Sequence, residues 1–518
     1  MTKRPNILLI MADQLNASFL PMYGNTIVKA PHLEALAKHS SVFSNAYCNY
    51  PICAPSRYSM LSGQLPHSIA AYDNASEFCA ATPTVAHYLR QLGYQTILCG
   101  KMHFVGPDQL HGFEERLVTD IYPADFAWVP DWTKGPRNAP TGISMRAVLE
   151  AGQCFRSLQI DYDDETEYFA KQKLFDLARR TEKKPFFMTI SFSHPHSPFT
   201  ASAEHWDRYQ HHEIDVPKVG PLQLSEMDKH SEWLYYSHGR DKYKVETQHI
   251  QNARHAYYGM ISYIDDKVGR LIDTLNKTGF SDETLVIFTS DHGEMLGERG
   301  MWFKQSFFED AVRIPLLIGG AGWGHHGDVK KVVSLVDLLP TILDVASNSN
   351  PPKVLGPAHG KSLRLAIENN GTEWKDIVIS EYSDMGVCAP CRMIRSKTLK
   401  YIYTHGFPAQ LYDLDSDPLE RCNLAGNPEY AKDENELNNL ILADWDPEEI
   451  NRLVLKSQSE RQLIYAVTSQ SKHSHNWSWM ARPDDDCRYV RGGGDAEGTV
   501  STKGRARFPF VAPANPNV

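Results

Sequence analysis

The chain has 518 residues, 42% hydrophobic and 22% charged, with a formal net charge of -10. That length allows about three domains, or one large α/β domain beside a smaller one. An acidic balance without a polybasic run excludes nucleic acid as a partner, yet leaves room for a local basic pocket holding a small anion.

The nine cysteines are scattered and odd in number, which reads as free thiols of a reducing compartment. Cys388 and Cys391 have Cys-x-x-Cys spacing but no second pair nearby, so they read as ordinary thiols. The apolar run at 6–12 is too short for a secretory core, and no run reaches membrane-spanning length. A cytoplasmic protein with no membrane partner is expected.

Residues 6–12 (NILLIMA) predict a fully buried strand that ends directly in Asp13-Gln14. In parallel α/β sheets ligands gather at the carboxyl ends of strands, so Asp13 stands where a metal ligand belongs. Residues 31–39 predict a short amphipathic helix opened by Pro31, and 42–47 a strand. Cys53-Ala54-Pro55-Ser56-Arg57 follows, with Gly63 six residues past Arg57. Pro55 opens a helix, which sets Cys53 at a helix N-terminus, where backbone N–H groups and the dipole favour an anion. Residues 84–92 predict a helix and 95–99 a strand. Lys101 and His103, two apart at its end, can face one cleft.

Residues 105–160 are rich in Pro, Asp and aromatics, and read as a long insertion over the cleft that selects substrate. Residues 165–179 predict a helix and 185–193 a buried strand running into His194 and His196. Residues 200–245 read as an irregular excursion. A long amphipathic helix is predicted over 245–277 and a strand over 285–290, ending in Asp291-His292-Gly293. A glycine-containing loop, 297–304, delivers Lys304. A strand over 313–319 and a helix over 335–346 follow. From Ile377 a smaller unit carries a hairpin over 393–403 and a helix from about Glu434. After residue 470 the composition shifts to His, Trp, Asp and Gly, which predicts a tail without its own core, docked on the body or on a neighbouring subunit. The expected domains are 1–375, 376–470 and 471–518. The fold class is α/β: a large mixed, mostly parallel sheet flanked by helices, with a smaller C-terminal α+β subdomain and an extended tail.

Polar side chains thus follow separate strand ends at Asp13-Gln14, Lys101/His103, His194/His196 and Asp291-His292, with Cys53/Arg57 and Lys304 as further points. Chance explains one such placement, not six. Asp13, Asp291 and the Gln14 amide offer oxygen ligands for a hard divalent cation, Ca²⁺ or Mg²⁺, and His292 also suits Mn²⁺ or Zn²⁺. Lys101, Lys304 and Arg57 would offset the charge of an anionic substrate and its leaving group. The histidines would move protons.

In order and spacing, PNILLIMADQ, CAPSRYSMLSG, GYQTILCGKMH, SHPHSPF, SDHGEMLGERGMWFK and LYDLDSDPLE resemble the motifs of type I sulfatases, a branch of the alkaline-phosphatase-like superfamily, over residues 4–420. Within that branch, VGPDQLHGFEERLVTDIYPADFAW and YDNASEF look like choline sulfatases. The resemblance implies that Cys53 is oxidised to formylglycine by a formylglycine-generating enzyme. An aldehyde hydrates to a geminal diol; one hydroxyl attacks sulfur and the other later expels sulfate. It further implies that Asp13, Gln14, Asp291, His292 and the oxidised Cys53 hold one divalent ion, calcium first, with magnesium or manganese as alternatives. Arg57 would hold the hydrated aldehyde, and Lys101 either it or the sulfate. His103 would assist hemiacetal breakdown, while His194 and Lys304 would bind sulfate and help the leaving group. Asn74 would contact sulfate, Trp128 would lie against a quaternary ammonium, and His196, Asp384 and Met385 complete the substrate-binding set.

Two segments depart from the choline sulfatase pattern. Met385 stands three residues past Tyr382, where that group carries a carboxylate, with Asp384 beside it, and the tail after 470 differs. The expected reaction is hydrolysis of a small-molecule sulfate monoester, choline sulfate-like or aryl, to alcohol and inorganic sulfate, by a homodimer or homotetramer. A phosphonate monoester or phosphodiester hydrolase is the alternative, and a non-catalytic metal- or sulfate-ester-binding protein a more distant one.

Overall fold

A computed structural model describes residues 4–138, 140–141, 143–181, 184–470 and 477–479. The N-terminal apolar run is strand β1 (Asn6–Ala12), buried at every position. β2 (Ser40–Tyr47) leads into helix α1 (Cys53–Ser62). β3 (Gln95–Gly100), the short β4 (Glu115–Arg116), α2 (Leu158–Arg179) and β5 (Phe186–Phe192) follow. The long α3 (Thr247–Thr278) precedes β6 (Thr284–Ser290), β7 (Leu316–Gly320) and β8 (Gly327–Ser334).

These strands form a nine-stranded sheet in the order β8-β2-β7-β6-β1-β5-β3-β4, with Arg313–Ile314 pairing on β2. β3, β5, β1 and β6 run parallel, while β7 is antiparallel to both of its neighbours. Parallel strands buried on both faces need continuous apolar sequence, which is why β1 reads NILLIMA. The register does the rest. Ala12 lies opposite both Phe192 and Ser290, and Gly100 opposite Ser191. Asp13, Ser193 and Asp291 therefore leave the sheet at one level, with Lys101 one residue earlier, along one edge. Gly100 has a φ of +91°, and a Cβ there would fall 2.1 Å from the Ser191 carbonyl oxygen, so only glycine lets the chain turn Lys101 inward.

A second, antiparallel sheet follows in sequence: β9 (Ile377–Tyr382), β10 (Cys391–Ser396), β11 (Leu399–Thr404) and β12 (Gln410–Asp413). It is tied to the main body by Asn49, whose carbonyl accepts from the Glu381 N–H at 2.9 Å and whose Nδ2 donates to the Ile379 carbonyl at 2.9 Å. Helices α4 (Ala431–Leu442) and α5 (Pro447–Ser469) close the described body.

Several local expectations need correction. The helix expected from 165 begins at Leu158, because Ser157 caps it by accepting from the Ile160 N–H, and Asp161 lies in its first turn. The supposedly irregular 200–245 segment contains a strand, Thr200–Ser202, paired with Gly152–Cys154, and a helix, Lys229–Ser237. Pro315 breaks the single strand expected over 313–319 into two. β8 was not anticipated: as an edge strand it exposes Lys330, so its pattern is not apolar. α5 was also unanticipated. Of its 23 residues only Ile450, Val454, Gln458 and Arg461 are buried, so its apolar periodicity is weak.

Among the described residues no helix is long and apolar enough to cross a membrane, and the described cysteines are free thiols. The tail expected over 471–518 lies outside the described residues except at 477–479. There Trp477 meets Phe126 edge-on at 5.3 Å and Trp479 Nε1 donates to the Arg116 carbonyl at 3.0 Å.

Candidate active site

Cys53 is the first residue of α1, preceded by Ile52 in extended conformation with no side-chain cap. The uncapped first turn leaves backbone donors around the thiol. One of them, the Ala54 N–H, is taken by Asn74 Oδ1 at 2.9 Å. Cys53 Sγ lies 3.3 Å from His292 Nε2, 3.3 Å from Lys101 Nζ and 3.7 Å from Asp13 Oδ1.

Asp13, Cys53, Asp291 and His292 each offer a ligand atom, and these atoms lie within 4.8 Å of one another. His292 Nε2 is 3.8 Å from Asp13 Oδ1 and 3.7 Å from Asp291 Oδ1. Ligands sharing one cation at about 2.3–2.6 Å stand roughly that far apart, so the set fits a divalent ion. His292 Nδ1 meets the Gly293 carbonyl at 3.1 Å, which places the proton on Nδ1 and leaves the Nε2 lone pair facing the cluster. Burial holds the His292 pKa down at about 4, so the ring is neutral at pH 7 and able to bind a cation. Burial and the Asp291 charge push Asp13 up, but Lys101, His196 and Arg57 overcome them and hold it at about 2. Asp291 sits well below the carboxylate range: burial opposes this, and Arg57 first, then His292 and Lys101, outweigh it.

Gln14 is fixed from every side. Its N–H donates to Asp291 Oδ1 at 3.0 Å, its Nε2 donates to Glu294 and its Oε1 accepts from Lys304. Glu294, which burial pushes up to about 7, thereby orients the amide so that oxygen rather than nitrogen faces Lys304.

The cations form a second layer. Arg57 Nε donates to Asp291 Oδ2 at 2.8 Å, and Nη1 donates to the Lys101 carbonyl and Ser191 Oγ, while the buried Nη2 has no protein partner. A buried guanidinium N–H without a protein partner is available to an anion. Lys101 Nζ bonds Asp13 and lies 4.2 Å above the Tyr122 ring. Lys304 Nζ meets His196 Nε2 at 2.7 Å, and His196 Nδ1 is held by the Ser197 carbonyl at 2.6 Å. The histidine joined to Lys304 is thus His196. His194 sits beside it with Nδ1 committed to Asp163 at 2.6 Å, and its carbonyl accepts from the Asp13 N–H at 3.1 Å.

His103 is buried, and burial lowers its pKa against the opposing pull of the Cys53 side chain. Its ring packs against Tyr122 at 5.0 Å and Trp128 at 5.6 Å. Tyr122 and Trp128 are themselves 4.9 Å apart, and the buried Trp128 Nε1 is unpaired. Asp384 is turned inward: Oδ2 accepts from the Asn74 N–H at 2.8 Å and Oδ1 from the Met385 N–H at 2.5 Å. Burial, then the Asp73 charge, push its carboxyl well above the usual range. Met385 is buried, with Sδ accepting from Thr141 Oγ1 at 3.0 Å.

The backbone bears strain here. Gln14, His103, Phe303 and Gln305 all have φ between 60° and 77° without being glycine. Sequence reasoning missed Tyr122, Asp163, Ser191 and Glu294. Glu294 was within reach, three residues past Asp291 in the same loop. Asp163 carries no local signal, since it sits in α2 and is brought in by tertiary packing.

A sulfatase family model matches residues 5–349, and one for the C-terminal part of N-sulphoglucosamine sulphohydrolase matches residues 297–462. Over 497 residues the chain is 43% identical to a choline-sulfatase of Rhizobium meliloti (strain 1021), covering 95% of this chain and 96% of that one. It is 28% identical over 473 residues to an arylsulfatase of Clostridium perfringens (strain 13 / Type A), covering 86% and 95%. Its fold matches that of a phosphonate monoester hydrolase from Silicibacter pomeroyi with a TM-score of 0.69 at 23% identity, covering 85% of this chain and 95% of that one. That last likeness concerns the fold, which is alkaline-phosphatase-like. The family model spans β1 through β8, the sheet whose edge gathers the donor set and cations, so the chain belongs to the sulfatase family and is a sulfuric ester hydrolase.

Proposed function

We propose that the chain hydrolyses the sulfate monoester of a small cationic alcohol, choline sulfate-like, using a formylglycine made from Cys53 and one divalent cation, calcium first. The observation that carries this reading is the aromatic wall of Tyr122 and Trp128 directly beside His103 and Lys101. Such a wall offers π-faces to a quaternary ammonium while the cations hold the sulfate. Asp13, Gln14, Asp291, His292 and residue 53 would hold the ion, which when bound supplies positive charge beside the sulfate and the nucleophile.

The chain's own groups divide the remaining work. Arg57, Lys101 and Lys304 offset the sulfate charge in a buried setting where such charge counts most. Asn74, tied to the first turn of α1, presents its amide to a sulfate oxygen. His103, neutral at pH 7, takes the proton from a hydroxyl of residue 53. The Lys304–His196 pair, with His194 beside it, delivers a proton to the departing alcohol oxygen. A second reading, an aryl sulfate, is favoured by Met385, which is buried and apolar at the alcohol end. Maturation by a formylglycine-generating enzyme, a homodimeric or homotetrameric state and a cytoplasmic setting belong to the same proposal.

The test compares kcat/KM for choline sulfate, 4-nitrophenyl sulfate and a phosphonate monoester. Choline sulfate should be fastest, and a dominant phosphonate rate would sink the sulfate reading. Peptide mass across residue 53 should be lower by about 18 Da, one oxygen replacing sulfur and two hydrogens. An unmodified thiol in fully active protein would overturn the nucleophile.

A further inference from the structure

Helix α5 reaches back from the C-terminal end of the described body to the catalytic centre. Arg461 donates from Nη1 and Nη2 to the two carboxylate oxygens of Asp73, each at 2.5 Å, and the side chains are 7% and 0% exposed. One and three residues away on the same helix, Gln462 Nε2 donates to the Pro130 carbonyl at 2.9 Å and Gln458 Oε1 accepts from the Trp132 N–H at 3.0 Å.

Asp73 is the hinge of a tight turn. Its Oδ1 also accepts from the Ala75 N–H at 3.0 Å and from Ser76 Oγ at 3.2 Å. Ser76 Oγ in turn accepts from the N–H groups of Tyr72 and Asp73, both at 3.0 Å. Asn74 sits inside this turn. Its N–H is anchored on Asp384 and its Oδ1 on the Ala54 N–H, one residue past Cys53. Because a backbone N–H demands an acceptor, the Asn74 amide can take only one orientation, and Nδ2 is left to meet a ligand.

We infer that Arg461 is a positioning residue for the hydrolysis: through Asp73 it sets the Asn74 amide and, with it, the first turn of the helix bearing Cys53. This rests on Asn74 being a sulfate contact. A helix that only needed docking would be served by any surface contact. Here a planar two-pronged donor meets a fully buried carboxylate next in sequence to a site side chain. Lysine keeps the charge at this position but not the fork, so it cannot fix the carboxylate plane.

The experiment measures kcat and KM for choline sulfate and 4-nitrophenyl sulfate on wild type, Arg461→Lys, Arg461→Met, Asn74→Ala and the Arg461→Met/Asn74→Ala pair. Arg461→Met should lower kcat/KM roughly 10²-fold on both substrates alike, as a misplaced contact does, and Arg461→Lys should lose about 10-fold. In the Asn74→Ala background Arg461→Met should cost less than about 3-fold, since the residue it positions is gone. Full additivity overturns the inference. So does a loss confined to choline sulfate, which would mean that Arg461 acts on the alcohol wall through Trp132. Should Arg461→Met fail to fold, Asp73→Asn/Arg461→Met, which leaves no buried charge alone, replaces it in both backgrounds. A wild type that turns over neither ester overturns the proposed substrates and leaves the positioning role to be read from inorganic sulfate binding. There Arg461→Met should weaken affinity as Asn74→Ala does, and unchanged affinity overturns the role.

Discussion

The two ends of the site are built differently. At the end proposed to take the sulfate, Asp13 and Asp291 leave parallel strands of one sheet at one register level, Lys101 leaves its strand one residue earlier, and Cys53 begins the buried helix α1. Each sits within one residue of a regular element, so its placement is inherited from the hydrogen-bond ladder. At the end proposed to take the alcohol, Tyr122, Trp128 and Met385 belong to irregular segments, and Trp132 is held by Gln458, 326 residues away. On that proposal, chemistry common to the family sits on a rigid scaffold, while choice of alcohol would sit where backbone is free to vary. If this division holds, substitutions at the first end should damage every substrate equally and those at the second should discriminate.

Cys53→Ala should lower kcat/KM by about 10⁴-fold or more on choline sulfate and 4-nitrophenyl sulfate alike, as loss of a nucleophile does. A residual rate that differs strongly between the two esters would break the division. Asp291→Asn comes next. It removes a charged group proposed as a metal ligand and the partner of Arg57, so activity should fall on the order of 10³-fold, with divalent metal content by atomic emission falling in parallel. Trp128→Ala should raise KM for choline sulfate about 10-fold and for the aryl ester much less, matching the size of a desolvated cation–π contact. Equal losses on both esters would place Trp128 among the common machinery. Met385→Glu should shift preference towards choline sulfate by several-fold, a modest effect because the Glu side chain must be accommodated in a buried site; no shift means that residue 385 does not select.

The smallest effect concerns pH. A histidine binds metal only when neutral, and burial places the His292 pKa near 4 instead of 6.5. Proton competition therefore begins only as pH falls towards that value. Metal content after dialysis should stay level from pH 7 to about 5 and drop below it. A drop centred near pH 6.5 would mean that His292 is not so enclosed.

Much of the sulfate end was legible in the sequence, for a physical reason. A buried parallel strand must be apolar throughout, so the first charged residue after it is visible, and Asp13 and Asp291 announce themselves in this way. Glu294 was less visible because nothing local separates a surface acid from one accepting the Phe303 and Leu296 N–H groups. Asp163 and Arg461 were invisible. Asp163 lies in an acidic run on a helix, and Arg461 finds Asp73 across 388 residues on a helix whose apolar periodicity is weak. The same holds for β8 and α5 themselves, whose partners, not their patterns, make them regular.

The left-handed backbone at Gln14 and His103 has a consequence for how this sequence can change over time. In the sheet, a neutral drift such as Leu9 to Ile alters packing by little more than the shape of one side chain. At Gln14 and His103 drift meets two filters at once, because a replacement must supply the amide or imidazole and also tolerate a φ near +60°. Val, Ile and Thr fail the second filter whatever they offer chemically. Glycine and asparagine pass it most readily, so lineages that lose hydrolysis should first show those residues at these two positions, trading function for a relaxed chain.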